Sequence, residues 1–193
     1  MNVGLYFGSF NPIHIGHLII ANYIVQHSPL DQVWFVVSPQ NPLKKSSALL
    51  NEYHRLYLVQ ASIEGEQTLK ASDIEFRLPR PSFTIDTLTY LTEKFPGNEF
   101  SVIMGSDSFR NIAAWKNYKQ ILGNYKILVY ERPGFPIENS YQNADITSLK
   151  APMLEISSTY IRKLIKEGKS IRYLVPEKVK MEIEQNGYYK ESL

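Results

Sequence analysis

The sequence contains no cysteine, only four histidines and only two tryptophans among 193 residues, and its formal net charge is only +2. Without cysteine, a disulfide scaffold, a thiolate metal site and a cysteine nucleophile are excluded. The charge is the difference between 21 basic and 19 acidic side chains. That excess is too small to indicate a nucleic-acid partner, so we expect any bound anion to be a small molecule.

Long apolar runs are also missing. No window approaches the ~18 uncharged apolar residues of a membrane helix, and the N-terminal MNVGLYFGSF lacks the basic leader and apolar run of a signal peptide. We therefore expect a cytoplasmic protein without a membrane partner. With 44% hydrophobic residues and no repeat, low-complexity tract or linker, residues 1–193 are predicted to form a single domain.

What is present is an alternation of β-rich apolar segments with segments of helical period. The predicted strands are residues 2–7, 32–38, 68–76, 99–105, 126–131 and 153–156, and the predicted helices between them are 16–27, 52–63, 84–95, 109–115 and 116–122. This alternation with short connections favours a doubly wound α/β fold, a parallel sheet with helices on both faces.

The C-terminal third has a different pattern. The segment 134–150 is polar and is predicted to be an irregular surface loop, and two helices are predicted to close the chain. The first begins at the serines of SSTYIRKLIKEG and the second at Pro176. In doubly wound sheets ligands bind at the carboxyl ends of the strands, so the residues that follow each strand are the candidates for a site.

The segment FGSFNPIHIGHL follows the first predicted strand. Gly8 lacks a Cβ, so the backbone of Gly8, Ser9 and Phe10 can approach a ligand and direct N–H groups at it. His14 and His17 lie near a helix N-terminus and, at spacing i and i+3, can share one face. Because a helix N-terminus favours negative charge, this arrangement favours a phosphate ligand.

Other interpretations of these residues stay open. A single histidine at such a position is more typical of a surface residue or a satisfied core residue. A zinc pair is disfavoured, because metalloprotease histidines are spaced i and i+4 around a glutamate, whereas Ile15 and Gly16 fill this interval. The glycine turn matches neither the dinucleotide fingerprint nor the P-loop.

A second segment, ISSTYIRK, points to an anion independently. Ser157 or Ser158 is a good helix cap, yet Arg162 and Lys163 follow in the first turns, where the helix dipole disfavours cations. A bound anion would reverse that penalty. A helix that merely tolerates exposed cations would show the same pattern.

The tetrapeptide HIGH at residues 14–17 resembles the signature of the nucleotidylyltransferase superfamily. Further motifs occur in the order found in bacterial nicotinate-nucleotide adenylyltransferases, and the resemblance spans nearly the whole chain: SPQNPLKK, PSFTIDTL, VIMGSDSFRNIAAW, RPG, ISSTYIR and YLVPEKV. It implies a Rossmann-like fold and transfer of AMP from ATP to the phosphate of nicotinic acid mononucleotide, with release of pyrophosphate, in NAD biosynthesis. It also implies Mg²⁺ bound mainly by ATP and water, with no protein metal ligand.

The resemblance assigns the nucleotide-binding residues one by one. His14, His17 and Arg162 are the expected catalytic residues, which stabilise charge on the phosphoryl oxygens; the attacking phosphate is already an anion and needs no general base. The implied ATP ligands are Gly8, Ser9, Phe10, His17, Gly105, Asp107, Ile156, Ser157, Ser158, Thr159 and Arg162. For Asp107, helix capping is an equally good interpretation.

The acceptor is expected at a second group of residues. Trp115 would stack on the pyridine ring, and Thr84 at a helix start would offer backbone N–H groups to the nicotinate carboxylate. The implied acceptor ligands are Ser9, Lys45, Thr84, Trp115 and Arg132. A register shift of one leaves Lys44 as an alternative to Lys45, and core packing for Trp115 or a surface position for Arg132 would fit the local sequence as well.

Two other functions remain open at this point. One is a relative with a different acceptor, such as nicotinamide mononucleotide; phosphopantetheine is disfavoured by PSFTIDTL, Trp115 and RPG. The other is a catalytically silent nucleotide-binding regulator, which a turnover assay would reveal. The one macromolecular partner left open is a second copy of the chain.

Overall fold

The computed structural model describes residues 1–40, 49–137, 141 and 143–190. Within these residues six strands form one parallel sheet, in the order β3-β2-β1-β4-β5-β6. The strands are β1 (Asn2–Gly8), β2 (Gln32–Val37), β3 (Leu69–Ser72), β4 (Glu99–Gly105), β5 (Lys126–Tyr130) and β6 (Ile146–Leu149).

The helices lie on both faces of the sheet. They are α1 (Ile15–Gln26), α2 (Glu52–Ser62), α3 (Thr84–Lys94), α4 (Ser106–Arg110), α5 (Tyr118–Asn124), α6 (Ser158–Lys166) and α7 (Glu177–Asn186). Short 3-10 helices span Ile74–Arg77 and Ile112–Ala114. No helix in the described ranges is long and apolar enough to cross a lipid bilayer.

Two apolar layers sandwich the sheet. Buried side chains of α1, α2, α6 and α7 form one layer, and those of α3, α4 and α5 form the other. The central strands β1 and β4 are buried on both faces, which is why they read in the sequence as nearly continuous apolar runs. The doubly wound α/β prediction is therefore confirmed.

The sheet order reverses between β1 and β4. From β1 the chain proceeds to β2 and β3 on one side, and β4 to β6 lie on the other. Such a switch point opens a crevice at the carboxyl ends of the two strands, because the connections leave them in opposite directions. The candidate site lies at this crevice.

The prediction for the last strand was wrong. The sixth strand is Ile146–Leu149, inside the segment predicted to be an irregular loop, whereas residues 153–156 form no strand. Strand β6 pairs only with β5, and three of its four residues are not fully buried. An edge strand of this kind lacks the continuous apolar run on which the prediction relied.

Two other predicted elements are divided. The predicted strand 68–76 ends at Ser72 and continues as the 3-10 helix Ile74–Arg77. The predicted helix 109–115 is in fact α4, beginning at Ser106, followed by the 3-10 helix Ile112–Ala114. In both cases apolar periodicity identified a buried segment without resolving a change of backbone geometry within it.

Candidate active site

The carboxyl ends of four strands form the floor of the site. Gly8 lies beside Val37 at the ends of β1 and β2, and Gly105 lies beside Tyr130 at the ends of β4 and β5. The N-terminus of α1 follows β1 directly. The N-terminus of α6 lies at the same edge, because its side chains bond the loop that leads into α1. Sequence motifs more than 140 residues apart thus meet here.

The two histidines of HIGH stack at the start of α1. His14 is the N-cap residue, and its backbone N–H donates to Nδ1 of His17 over 3.3 Å. The ring centroids are 3.7 Å apart with the planes inclined by 25°. Because Nδ1 of His17 accepts a hydrogen bond, the proton of its neutral ring belongs on Nε2, which makes Nε2–H a donor.

Both imidazoles are neutral at neutral pH. Burial, reinforced by the positive charge of Arg132, lowers the pKa of His14 to about 4. Burial also lowers the pKa of His17, with smaller contributions from His14 and Arg132. Nδ1 of His14 is buried and has no hydrogen-bond partner among the described residues. The pair therefore offers neutral polar groups, which a bound polyanion would draw toward the charged form.

Gly8 is required for a reason the sequence did not reveal. A Cβ on Gly8 would lie 2.8 Å from Cζ of Phe10, because the Phe10 ring folds back over the glycine. Phe10 itself has φ 44° and is only 2% exposed. The group that approaches Gly8 closely is thus the Phe10 ring, where the sequence predicted a ligand. Because the Phe10 ring is buried, only its main chain is left to contact a nucleotide.

The N-terminus of α6 is bonded to the loop before α1. Ser157 is the N-cap, and its Oγ accepts from the N–H of Tyr160 at 3.2 Å. Ser158 Oγ donates to the carbonyl of Pro12 at 2.8 Å. Thr159 and Ile156, the other expected ATP ligands of this motif, are exposed and partly buried respectively.

Arg162 is the cation of this corner. Its Nη1 donates to the carbonyl of Asn11 at 2.7 Å and its Nη2 to Oγ1 of Thr159 at 3.2 Å. In the described part of the chain no carboxylate lies within ion-pair distance of it. The guanidinium is therefore oriented by neutral groups, and no carboxylate of the described residues neutralises its charge.

Arg132 and Asp107 form a second charged pair above β4 and β5. Arg132 Nη1 lies 3.3 Å from Asp107 Oδ2, and its guanidinium carbon lies 5.7 Å from the centre of the Tyr130 ring. A Cβ on Gly105 would collide with Oδ1 of Asp107 and would lie 3.1 Å from Nε of Arg132. Arg132, expected at the acceptor, is thus paired with a residue expected at ATP.

A cavity of about 190 Å³ adjoins this corner. Its lining includes Phe83 and Thr84 at the start of α3, together with Trp115 and Lys116. Phe83 is the N-cap of α3 and has no side chain that can cap. Within the described residues, nothing accepts from the backbone N–H groups of Thr84 and Ile85, the first two of the helix, as expected for uncapped amides.

Reasoning from the sequence missed Arg55. This side chain is fully buried and donates four hydrogen bonds to carbonyl oxygens: Nε to Leu50 at 2.8 Å, Nη1 to Ser9 at 2.6 Å and Ser38 at 2.8 Å, and Nη2 to Pro39 at 3.1 Å. It thereby joins the loops that follow β1 and β2. A signal was present, since Arg55 shares the buried face of α2 with Leu58 and Val59 at i+3 and i+4.

Glu75 was also missed, because it lay inside a predicted strand. It is 2% exposed and lines the cavity. Burial raises its pKa, an effect opposed by hydrogen bonds from serine and threonine hydroxyls. The other expected residues at the acceptor, Lys45 and its alternative Lys44, lie outside the described residues.

The chain resembles known proteins along nearly its whole length. Residues 5–164 match the family described as Cytidylyltransferase-like. A Flavobacterium psychrophilum protein named "Probable nicotinate-nucleotide adenylyltransferase" is 53% identical over 192 residues, covering 98% of this chain and 100% of that protein. A Cytophaga hutchinsonii protein with the same name is 49% identical over 189 residues, covering 98% of each.

A solved structure shares the fold. The Plasmodium falciparum nicotinic acid mononucleotide adenylyltransferase complexed with NaAD superposes with a TM-score of 0.81, covering 97% of each chain at 21% identity. At that identity the likeness concerns the fold, and it supports the doubly wound, Rossmann-like architecture described above.

Proposed function

Because the chain belongs to the cytidylyltransferase-like family and to its nicotinate-nucleotide adenylyltransferases, we propose that it transfers AMP from ATP to the phosphate of nicotinic acid mononucleotide. The products are nicotinic acid adenine dinucleotide and pyrophosphate, and the reaction is a step of NAD biosynthesis. The observation that carries the proposal is the convergence at the switch point of the HIGH histidines with Arg162, which forms no ion pair among the described residues.

The reaction is an in-line displacement. An oxygen of the mononucleotide phosphate forms a bond to the α-phosphorus of ATP while the bond from that phosphorus to the bridging oxygen of pyrophosphate breaks. The nucleophile is already an anion, so the protein must hold two polyphosphates together and stabilise the charge that develops on the oxygens.

We assign the phosphates of ATP to the corner between α1 and α6. His17 can donate from Nε2, and the Arg162 guanidinium supplies a charge that no described carboxylate neutralises. Residues of the loop after β1 and of the α6 start would complete the nucleotide site, together with Gly105 and Asp107. Both ends of the chain contribute, which supports one nucleotidylyltransferase domain over residues 1–193.

We assign the nicotinate end of the acceptor to the cavity. Phe83 and Trp115 provide aromatic faces, and the backbone N–H groups of Thr84 and Ile85 suit a carboxylate. Lys116 also lines the cavity, with Nζ 4.8 Å from the centre of the Phe83 ring, but its charge is paired with Asp86. Ser9 and Lys45 stay predicted ligands of the mononucleotide. Arg132 stays a predicted acceptor ligand; because it pairs with Asp107 and its charge acts on both histidines, we propose that it also acts on the phosphates.

Enzymes of this kind that act on ATP generally use a divalent metal, and we propose Mg²⁺. In the described part of the chain no three His, Asp or Glu side chains converge to hold an ion. We propose ATP and water as the main ligands of the ion. No step of the reaction is assigned to a protein-bound metal.

The decisive experiment is a turnover assay with ATP, Mg²⁺ and either nicotinic acid mononucleotide or the amide form, followed through pyrophosphate release. We expect the acid to react faster in wild type and His17→Ala to lose about a hundredfold in kcat, equivalent to about 3 kcal/mol. His27→Ala is the matched control, because His27 is exposed at the other end of α1.

Each alternative function has its own outcome in this assay. Equal rates with both mononucleotides would refute the acceptor assignment and leave adenylyl transfer intact. ATP binding without turnover of either would identify a nucleotide-binding regulator. A loss in His27→Ala as large as in His17→Ala would refute the role of the HIGH corner. The cytoplasmic location and a second copy as partner stay predictions.

A further inference from the structure

Glu75 is a buried carboxylate whose two oxygens are both occupied. Oε2 accepts from the hydroxyl of Ser82 at 2.7 Å, and Oε1 accepts from the hydroxyl of Thr87 at 3.0 Å. Ser82 is 5% exposed and Thr87 is fully buried. No basic side chain in the described ranges forms an ion pair with Glu75, and a third hydroxyl, that of Ser38 after β2, also hydrogen-bonds the carboxylate. Neutral hydroxyls thus hold the buried group, at a cost in desolvation.

The two hydroxyls bracket the beginning of α3. Ser82 immediately precedes the N-cap residue Phe83, and Thr87 lies one turn into the helix. A serine or aspartate at the N-cap would normally hold the helix start by accepting from its N2 or N3 amide. Here Glu75 holds the start through side chains on both sides of it, and the amides of Thr84, which lines the cavity, and of the next residue, Ile85, are left uncapped.

We propose that Glu75 is a positioning residue for acceptor specificity: through Ser82 and Thr87 it orients the Thr84 and Ile85 amides toward the nicotinate carboxylate. The proposal rests on the proposed function. A carboxylate has acceptor oxygens for both amides, whereas a nicotinamide group presents an NH₂ donor to one of them. Precise orientation of the two N–H groups therefore favours the acid over the amide.

Glu75 acts in this account without touching the substrate. Its oxygens are engaged by Ser82 and Thr87, so removal of either hydroxyl should loosen the same helix start. The hydrogen bonds from Ser82 and Thr87 do not reach the ATP corner, which is built by α1 and α6. The hydroxyl of Ser38 also bonds Glu75, and the Ser38 N–H donates to the carbonyl of Gly8, so Ser82→Ala and Thr87→Val isolate the acceptor effect better than a change of Glu75 itself. A KM change for one substrate only is thus the signature of this role.

The experiment measures kcat and KM for both mononucleotides and for ATP in wild type, Glu75→Ala, Glu75→Gln, Ser82→Ala and Thr87→Val. We expect Glu75→Ala to lower the acid-to-amide ratio of kcat/KM about tenfold through the KM of the acid, with the KM of ATP within about twofold of wild type. Ser82→Ala and Thr87→Val should each lower the acid-to-amide ratio of kcat/KM about threefold.

Glu75→Gln supplies the conservative comparison. A glutamine can accept one hydroxyl proton and donate to the other hydroxyl oxygen, so we expect it to retain most of the acid preference. The matched control is Thr89→Val, because Thr89 lies on α3 and donates to the carbonyl of Ile85 but is exposed. Its kinetics should equal those of wild type.

Three results would overturn the inference while leaving the proposed function intact. The first is an unchanged acid-to-amide ratio in Glu75→Ala, or, if that variant does not fold, in both Ser82→Ala and Thr87→Val. The second is an equal rise in the KM of ATP, which would indicate general loosening. The third is a gain of amide turnover in Glu75→Gln alone, which would indicate direct contact with substrate. Wild type that prefers neither mononucleotide would refute the proposed acceptor itself and this inference with it.

Discussion

Replacing Arg55 by methionine should destabilise the protein severely. The methionine approximates the length of the aliphatic stem but donates no hydrogen bonds, so four carbonyl oxygens, one buried and three partly buried, lose a charged donor. Hydrogen bonds from charged donors are worth about 1.5–3 kcal/mol each, partly offset by the cost of burying the guanidinium. We therefore expect the free energy of unfolding to fall by about 3–5 kcal/mol, a large share of a typical 5–15 kcal/mol.

Urea unfolding followed by circular dichroism measures this difference. The control is Arg77→Met, since the Arg77 side chain is 63% exposed and pairs with an exposed Asp73, a contact worth at most about 0.5 kcal/mol. A loss below about 1 kcal/mol in Arg55→Met would refute the reasoning, because it would mean that water or a small backbone shift satisfies the carbonyls without the arginine.

Three further variants test other parts of the site. The pKa of His14 is about 4 in the folded protein, below its usual value of 6.5. Its contribution to the free energy of unfolding is therefore present above pH ~6.5 and is lost as the pH falls toward ~4, by up to about 3 kcal/mol. Between pH ~7 and ~5, urea unfolding should show a smaller loss of this free energy in His14→Asn than in wild type, and an equal loss would contradict the assignment. Gly105→Ala should displace Asp107 and break its ion pair with Arg132, so we expect the KM of ATP to rise about tenfold, whereas an unchanged KM would show that the pair is not at the nucleotide. Trp115→Ala should raise the KM of the acid mononucleotide about tenfold through lost stacking, while Trp34→Ala, at a distant partly buried tryptophan, should leave it unchanged; equal effects would remove Trp115 from the acceptor site.

Much of the fold was predictable because the relevant signals are local. Apolar runs of strand length alternating with helical periods indicate a parallel sheet covered on both faces, and β1, β2, β4 and β5 lie where this pattern predicts them. The edge strand β6 was not predictable in this way. Strand β6 is recognised as a strand by its pairing with β5, because its partly exposed residues show no distinctive hydrophobic periodicity.

The candidate site was likewise predictable only where its features depend on residues close together in the sequence. By itself the sequence determined that two histidines at spacing i and i+3 follow a glycine turn, and that a serine-capped helix carries Arg162, since spacing and capping depend on neighbouring residues. Only the tertiary structure decided that Arg162 reaches the Asn11 carbonyl, that Arg132 pairs with Asp107, and that Arg55 and Glu75 are buried. A charged side chain is expected at the surface until folding provides its partners, and these partners come from segments far apart in the chain, which only the packed sheet and helices bring within hydrogen-bond distance.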